Sequence, residues 1–311
     1  GGRFVSQFNP NAPISPNMNT VTTLFFEQNF MKIYEKRFGR IDFYYNRVAD
    51  VLNFSGGVEF AERSTLMNWE NAKPWIKWKN REFTPNMPQV EGEEMMEIPT
   101  HNALTLNLAL AWRPGQKYSI RNGQKRYLFN NNPTLTLRYA KGLDVGNSNV
   151  NFDRLEFNIR QNIETGVRSE LHYDLTAGAF LNQKSVYLMD YKHFMGNEFF
   201  LQTGDGIRTF RALPYYRYST RERYLEAHVV NESRRLLLTR IPLLRMTGLK
   251  ENLMLHYLNT PTLKHYAEVG YGLDNIITPV PFFRIEVVSV FQNFRYQDTV
   301  FRVGTTFQLG N

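Results

Sequence analysis

The stretch RLEFNIRQNIETGVRSELHYDLTAGAF, residues 154–180, decides the fold, because its alternate positions carry opposite chemistry. One set of alternate positions is apolar: Leu155, Phe157, Ile159, Val167, Leu171, Tyr173, Leu175, Ala177 and Ala179. The other set is polar and mostly charged: Arg154, Glu156, Asn158, Arg160, Arg168, Glu170, His172, Asp174 and Thr176. Successive side chains of a strand point to opposite faces of its sheet. The stretch therefore predicts two strands joined by a tight turn, and each strand has one apolar face and one charged face.

The same alternation recurs along the whole chain, without a convincing amphipathic helix. It predicts about twelve strands, most of them roughly 11–15 residues long, whereas soluble strands most often have about 5–6 residues. A tilted strand that crosses a bilayer needs about 9–11 residues. The predicted strands span residues 21–31, 34–47, 51–63, 101–113, 132–141, 151–163, 167–181, 220–231, 248–258, 263–273, 281–293 and 296–309.

The links between these strands tend to alternate in length. Long links at 62–100, 143–150 and 182–219 fall on one side, and the short links 48–50 and 164–166 fall on the other. Three further links do not follow this alternation. The links 114–131 and 232–247 are long but fall at the end with the short links, and the link 259–262 is short but falls at the end with the long links. Long loops at one end and short turns at the other are typical of outer-membrane barrels.

Composition excludes several classes of protein. The chain has 37 Lys and Arg against 29 Asp and Glu, a net charge of +8, but the cations are interleaved with acids, which argues against a nucleic-acid partner. It has no cysteine, which excludes a disulfide framework and a thiolate metal site. Apolar runs such as LALAW, residues 108–112, are far shorter than the roughly 18 residues of a membrane helix. The chain begins GGRF, without Met or a signal peptide, and we expect it to be a processed or truncated piece.

These patterns predict an all-β protein, an antiparallel transmembrane β-barrel of the Gram-negative outer-membrane type. Its apolar side chains face lipid: Leu106, Leu108, Leu110, Phe157, Ile159, Leu171, Phe283, Ile285, Val287 and Val303. Its lumen holds a paired charge network: Arg154, Glu156, Arg168, Glu170, His172, Asp174, Glu226, His228, Glu268, Arg284 and Glu286. A cation in lipid at mid-bilayer would cost about 2–4 kcal/mol. The alternative is a soluble β-sandwich, which alternates in the same way with its apolar face inward.

The C-terminus carries a short pattern that resembles the signal read by the outer-membrane assembly machinery. It consists of Arg302, Gly304, Phe307 and Leu309. Segments of the longer stretch from about 24 to 309 resemble, in order, the barrel of an uncharacterised outer-membrane family. They are NFMKIYEKRF (29–38), EFAERSTLMN (59–68), FTPNMP (83–88), PTLTLRYAKG (133–142), YLMDYKHFMGNEFF (187–200), LPYYRYSTRERYLEAHV (213–229) and TRIPLLRMTGL (239–249).

In that family a carboxypeptidase-regulatory-like domain precedes the barrel, and the barrel is distantly similar to the barrel-assembly and two-partner-secretion (surface antigen) superfamily. The resemblance implies about sixteen strands in the complete barrel, of which this chain holds the C-terminal part. We expect residues 1–20 to be an extended segment or the remnant of a preceding loop, and residues 21–311 to form the barrel.

Resemblance to the superfamily also implies that one extracellular loop folds into the lumen and carries an arginine at its tip. The segment 182–219 has that place here, and its predicted contact residues are Asp190, His193, Phe194, Gly196, Asn197, Tyr215, Tyr216 and Arg217. We expect Arg217 to pair with Glu226 or Glu268, since a buried arginine seeks a bidentate carboxylate. The alternative is that Tyr215–Tyr218 form only an interfacial aromatic belt.

Enzymatic chemistry is not predicted. His172 with Asp174, and Glu226 with His228, share an inward face and are the pairs that could activate water, and His256 could join His172 and His228 at a metal. Neither pair has a recognisable serine or metal-ligand spacing, so we assign no catalytic residue, cofactor or metal. The loop NWENAKPWIKWKN (68–80) combines tryptophans with lysines, which suits lipopolysaccharide or glycan contact, or simple anchoring at the interface.

Two classes of function follow. The first is an outer-membrane barrel that helps to insert, translocate or scaffold other envelope proteins, as the superfamily resemblance implies. The alternative is a structural or solute-transport or receptor barrel with a plugged lumen. Either version places the protein in the bacterial outer membrane, with membrane lipid, lipopolysaccharide and other envelope proteins or lipoproteins as partners.

Overall fold

One antiparallel sheet of twelve strands organises the molecule. The computed structural model describes residues 1–47, 51–68, 73–79, 82–94, 98–128, 131–166, 168–202, 206–275 and 283–305. Its strands are β1 (Gly2–Gln7), β2 (Ile33–Arg47), β3 (Leu52–Thr65), β4 (His101–Trp112), β5 (Tyr118–Arg121), β6 (Gln124–Tyr127), β7 (Thr134–Leu143), β8 (Asn151–Gly166), β9 (Ser169–Ser185), β10 (Tyr224–Ser233), β11 (Lys250–Thr260), β12 (Lys264–Asp274), β13 (Phe283–Gln292) and β14 (Arg295–Thr305). Its helices are α1 (Pro16–Phe26) and α2 (Pro242–Arg245), with single 3₁₀ turns at Leu188–Asp190 and Leu238–Arg240.

The sheet is a meander, in which each strand pairs with the next along the chain. Among the strands that the structure describes, only the small hairpin of β5 and β6 stands outside it, within the connection from β4 to β7. The longest strands, β8 and β9, have 16 and 17 residues and pair along nearly their whole length. The all-β prediction is therefore confirmed, and eleven of the predicted strands correspond to strands of the sheet.

The twelfth predicted strand, at 21–31, is wrong. Most of that stretch lies in helix α1 and the coil that follows it. Ser15 caps the helix, since its side chain accepts a hydrogen bond from the backbone of Met18, and Pro16 opens the first turn with a φ angle already suited to a helix. These capping residues outweigh the β-favouring Thr, Val and Phe residues of the segment.

A strand that the sequence did not predict, β1, takes the vacant place in the sheet. It lies in the segment 1–20 and pairs with β2, from Gly2 opposite Phe38 to Gln7 opposite Ile33. The N-terminal segment is thus part of the sheet.

The two faces of the sheet differ in polarity and in exposure. On β13, Phe283, Ile285 and Val287 are 40%, 45% and 38% exposed, whereas Arg284 and Glu286 are 8% and 0% exposed. None of the ten side chains predicted to face lipid is buried. We call the polar, covered face the inner face and the apolar, exposed face the outer face. A soluble β-sandwich would bury its apolar face between two sheets, whereas these twelve strands form one sheet whose apolar face is exposed.

The sheet is open. In the described part of the chain, β1 and β14 each pair with one strand only, β2 and β13 respectively. At β14 the free edge instead forms a parallel bridge from Val303 to Leu201, in the connection between β9 and β10. The prediction that these strands do not close a barrel among themselves is confirmed.

Connections at the two ends of the sheet differ in size. At the end that we call the upper rim lie 8–32, 66–100, 144–150 and 186–223, together with two tight turns at 261–263 and 293–294. Of the connections at the opposite, lower rim, the structure describes residues 51, 113–128, 131–133, 168, 234–249 and 275. No helix in the described ranges is long and apolar enough to cross a membrane.

Candidate functional site

The connection between β9 and β10, residues 186–223, folds onto the inner face of the sheet, and we call it the long loop. Seven of its eight predicted contact residues are buried: Asp190, His193, Phe194, Gly196, Asn197, Tyr215 and Tyr216. Its Lys192 ammonium lies 2.9 Å from a carboxylate oxygen of Glu156 and 3.5 Å from one of Glu226, both on the inner face. The long loop therefore covers the charged face of the sheet.

Apolar packing fixes the outer part of the long loop against the N-terminal segment. Met189, Phe199, Tyr215 and Tyr216 form one buried cluster with four side chains that precede or open β2, namely Phe8, Ile14, Phe30 and Tyr34. Burying a large apolar side chain contributes about 1.5–3 kcal/mol, so this cluster offsets much of the entropy lost in ordering the loop.

Backbone hydrogen bonds join two segments of the long loop, 195–197 and 210–213, and we call this close contact the pinch. Asn197 N donates to Leu213 O at 2.9 Å, and Phe210 N donates to Met195 O at 2.7 Å. Between them, a side chain at Gly196 would place its Cβ 2.3 Å from Leu213 O. Only glycine permits this close approach of two backbone segments.

Arg211 is the arginine of the long loop that binds a carboxylate on the inner face of the sheet. It is fully buried, and its Nε and Nη2 donate to the two carboxylate oxygens of Glu286 at 2.7 and 3.3 Å. Two further guanidinium N–H groups are used as well, because Nη2 also donates to Gly206 O at 2.6 Å and Nη1 donates to Thr209 O. A planar, bidentate pair of this kind fixes orientation as well as charge.

Glu268 receives the backbone of the same loop residue. Arg211 N donates to it at 2.6 Å, Ala212 N at 2.8 Å, and the hydroxyl of Tyr266 at 2.6 Å. Neighbouring strands β12 and β13 thus hold one loop residue through its side chain and its backbone. This arrangement desolvates two carboxylates and an arginine, and it persists because each is hydrogen-bonded.

The prediction that Arg217 is the loop arginine that pairs with an inward carboxylate is wrong. Arg217 is exposed, and its Nε donates to Glu91 at 2.5 Å instead of reaching Glu226 or Glu268. That hydrogen bond from Arg217 lowers the pKa of Glu91. Its position differs because the buried cluster uses Tyr215 and Tyr216, which leaves the next residue at the surface.

The last strand is tied to the long loop by side chain and backbone. Arg302 Nε donates to Arg211 O at 2.5 Å. On the strand's free edge, Val303 N donates to Phe200 O at 3.0 Å and Gln202 N donates to Val303 O at 2.7 Å. Of the predicted C-terminal signal, Arg302 and Gly304 lie at this contact, while Phe307 and Leu309 lie outside the described residues.

The predicted charge network is built on the inner face except at the lower rim. Arg284 bridges strands β10, β12 and β13, because it lies 2.5 Å from Asp274, 3.5 Å from Glu286 and 3.6 Å from Glu232. Arg168 and Glu170 lie just after the turn between β8 and β9 and are exposed, and Glu170 lies 3.5 Å from His172 of the same network. The remaining members are buried or half-buried: Arg154, Glu156, His172, Asp174, Glu226, His228, Glu268, Arg284 and Glu286.

Two histidines meet beneath the long loop. His228 Nδ1 lies 2.9 Å from His256 Nδ1, and its Nε2 lies 3.1 Å from Glu226. The ring of Phe210 covers both histidine rings edge-on, at centroid distances of 4.8 and 5.8 Å. In the described ranges, no group of three His, Cys, Asp or Glu side chains is arranged to hold a metal ion.

The other predicted catalytic pair is divided between different partners. Asp174 accepts a hydrogen bond from Asn158 at 2.5 Å, whereas His172 Nε2 lies 3.5 Å from Glu170. These contacts occupy the two side chains separately, as cross-strand polar packing does.

A serine–histidine contact that the sequence did not predict lies within the long loop. The Ser219 hydroxyl lies 2.7 Å from His193 Nδ1, and His193 Nε2 donates to Leu188 O at 2.9 Å. Both side chains are buried, and burial lowers the pKa of His193 to about 3. The imidazole of His193 is therefore neutral; it accepts a hydrogen bond from Ser219 and donates one to the carbonyl of Leu188. These two bonds connect the two ends of the long loop.

Buried residues that the sequence analysis missed are also partners of the loop. Arg63 Nη1 lies 2.7 Å from Asp190 Oδ1, and the hydroxyl of Tyr224 donates to Glu156 at 2.7 Å. Arg63 continues the alternation of β3 and could have been assigned inward by it; Arg211 lies in a loop, where no period applies.

A cleft of about 1270 Å³ opens at the upper rim between the long loop and the connection 66–100. Aromatic side chains and prolines line it, including Phe30, Tyr187, Tyr191 and Pro214. Two arginines of the cleft pair with acids across its walls: Arg217 with Glu91, and Arg221 with Glu93 at 3.6 Å.

The chain belongs to a family of unknown function (DUF5686), whose C-terminal domain matches residues 1–273. A search of the curated proteins finds no match.

Proposed function

We propose that this member of the DUF5686 family is an outer-membrane β-barrel protein that helps to insert, translocate or scaffold other envelope proteins. The observation that carries the proposal is the distribution of side chains on the sheet: strands such as β13 expose apolar side chains on the outer face, and the inner face holds buried charges beneath the long loop. In water, the exposed row of Phe283, Ile285 and Val287 would be an aggregation hazard, whereas lipid is a solvent that matches it.

Lipid is also the solvent that suits the backbone. Each of the ten strands between β1 and β14 in the sheet pairs with a neighbour on both sides, and a bilayer requires such satisfied backbone hydrogen bonds of any spanning segment. The edges of β1 and β14 would be costly in hydrocarbon, so the proposal includes further strands that complete a barrel of about sixteen strands. A soluble N-terminal domain of the carboxypeptidase-regulatory type is part of the same proposal.

An assembly or translocation role is favoured over a simple pore by the contact at β14. The free edge of this strand is bonded to a loop segment, through Val303, and not to a strand. An edge that a loop can occupy is one that another polypeptide strand can occupy by β-augmentation. The proposal thus links the open edge to handling of other envelope proteins, and it includes lipid, lipopolysaccharide and envelope proteins as partners.

The plugged transport barrel keeps one observation in its favour. The long loop fills the inner face with a paired, buried charge network, centred on Arg211 and Glu286, as a plug would. A receptor or transporter of this kind would move the loop to pass a solute.

Depletion of the full-length protein distinguishes the two roles. Outer membranes from depleted cells are compared with wild-type membranes by quantitative proteomics, and purified protein is examined in planar bilayers. The assembly role predicts that a set of other outer-membrane proteins falls in abundance. An unchanged outer-membrane proteome together with stable single-channel conductance would contradict it and favour transport.

A further inference from the structure

The upper rim carries a small surface on which tryptophans and lysines are exposed together. It consists of residues 73–79, KPWIKWK, and we call it the rim patch. Trp75, Ile76 and Trp78 are 73%, 47% and 43% exposed. Lys73, Lys77 and Lys79 are exposed as well. Three apolar and three cationic side chains thus share one short segment.

Helix α1 fixes the rim patch through its own C-terminal end. Trp75 N donates to Leu24 O at 2.9 Å, and the Trp78 indole donates to Phe25 O at 2.8 Å. Carbonyl groups at a helix C-terminus lack intrahelical donors, so these bonds satisfy groups that would otherwise need water. The patch is therefore attached through its backbone and one indole nitrogen, while the side chains of its tryptophans, isoleucine and lysines remain exposed.

Aromatic packing reinforces that attachment from below. Phe25 meets Trp75 edge-on at 5.3 Å, and Phe26 stacks against Trp78 at 6.4 Å. Large aromatic surfaces that are oriented but not covered are costly in water and favourable where a polar boundary meets an apolar phase.

The charge of the rim patch is not neutralised within the described ranges. Among those residues, Lys73, Lys77 and Lys79 have no ion pair, whereas other upper-rim cations such as Arg217 and Arg221 have carboxylate partners. The nearest acid of the supporting helix end, Glu27, is buried and turned inward to accept from Trp78 N at 3.3 Å. A partner for this patch should carry negative charge and acyl chains at once.

We propose that the rim patch binds the phosphorylated, acylated headgroup region of lipopolysaccharide in the outer leaflet. This inference rests on the proposed membrane location, in which the rim with the large loops faces the cell exterior. At that level the tryptophans lie at the acyl boundary and the lysines reach the phosphates, with their alkyl stems along the apolar surface.

The test uses the full-length protein, extracted from outer membranes in mild detergent, and counts the lipopolysaccharide that it retains by native mass spectrometry. K73Q/K77Q/K79Q is compared with wild type and with a control, K117Q/R121Q/R126Q, which removes three exposed cations from the hairpin at the lower rim. We expect the rim-patch variant to retain at least about tenfold less lipopolysaccharide and the control to retain the wild-type amount.

A second measurement distinguishes binding that depends on the phosphate charge from nonspecific hydrophobic binding. The wild-type protein in nanodiscs is titrated with bisphosphorylated lipid A and with dephosphorylated lipid A, at two salt concentrations. Tighter, salt-sensitive binding of the phosphorylated form supports the inference. Equal binding of both forms, or equal retention by the rim-patch variant and wild type, overturns it.

The outcomes also separate this inference from the proposed function. If the wild-type protein fractionates with the outer membrane but the rim-patch variant behaves like the wild type, only the lipopolysaccharide site fails. If the wild-type protein is recovered without detergent and without bound lipid, both fail.

Discussion

The guanidinium of Arg211 is held by the carboxylate of Glu286, at 2.7 Å from Nε, although the two residues are 75 positions apart in the chain. Both side chains are 0% exposed. This pair, together with the backbone bonds from the same loop residue to Glu268, joins the long loop to strands β12 and β13.

Replacing Arg211 by alanine should detach the long loop. The change leaves the carboxylate of Glu286 buried with less compensation, which typically costs about 3–5 kcal/mol. We expect a large loss in the free energy of unfolding of the purified protein, measured by urea denaturation. As a matched control, Arg217→Ala removes an exposed arginine of the same loop and should have little effect. Equal stability of the two variants would refute the central place given to Arg211.

Hydrophobic periodicity determines which parts of the fold and of the candidate site the sequence can predict. Glu268 and Glu286 were assigned inward because they alternate with apolar residues on regular strands, and both are buried. Arg211 could not be found this way, because a loop has no period and its path depends on packing far along the chain. Helix α1 was missed for another reason: its Thr, Val and Phe residues favour strands, and the capping pair Ser15–Pro16 outweighs them.

A disulfide should form between the long loop and the last strand. An ideal Cβ at Gly304 lies 3.2 Å from the Cβ of Gln202, close to the roughly 3.5–4.5 Å spanned by a disulfide. The chain has no native cysteine, so Q202C/G304C gives a clean background. We expect oxidant-dependent crosslinking in native membranes, seen as a mobility shift on non-reducing gels. The control pair Q202C/G39C should not crosslink; a result in which neither pair crosslinks would contradict the loop-to-edge contact.

Gly196 should be intolerant of a side chain. Its Cβ would meet the backbone oxygen of Leu213 at 2.3 Å, and backbone moves less readily than a side-chain end. We expect Gly196→Ala to lower the free energy of unfolding by about 1–3 kcal/mol. Gly39→Ala on β2 is the matched control, since a Cβ there has nothing within 4 Å. The comparison is made by urea denaturation at one pH, and a Gly196→Ala protein as stable as the control would show that the pinch is absent.

Acid should loosen the long loop through His193. Burial lowers its pKa to about 3 in the folded loop, against about 6.5 when it is exposed. Protons therefore bind preferentially to the opened loop, so the stabilisation is complete above pH 6.5 and is lost progressively as the pH falls toward 3. At pH 4.5 the loss should be on the order of 2 kcal/mol.

The measurement is hydrogen exchange of residues 186–223 between pH 7 and pH 4.5, corrected for the intrinsic exchange rate. His193→Gln keeps hydrogen-bonding capacity without a titratable ring and should flatten the pH dependence. If the variant keeps the slope of the wild type, another group is responsible for it.

The most direct test of the account is the solvent that each face of β13 meets in a membrane. Single cysteines at Ile285 and Val287, on the outer face, and at Val288, on the inner face, are spin-labelled in the full-length protein reconstituted in nanodiscs. Accessibility to oxygen and to a water-soluble nickel complex is then compared by electron paramagnetic resonance. We expect high oxygen and low nickel accessibility at 285 and 287, with the reverse preference or low accessibility to both at 288. High nickel accessibility at both 285 and 287 would contradict a lipid-facing outer surface.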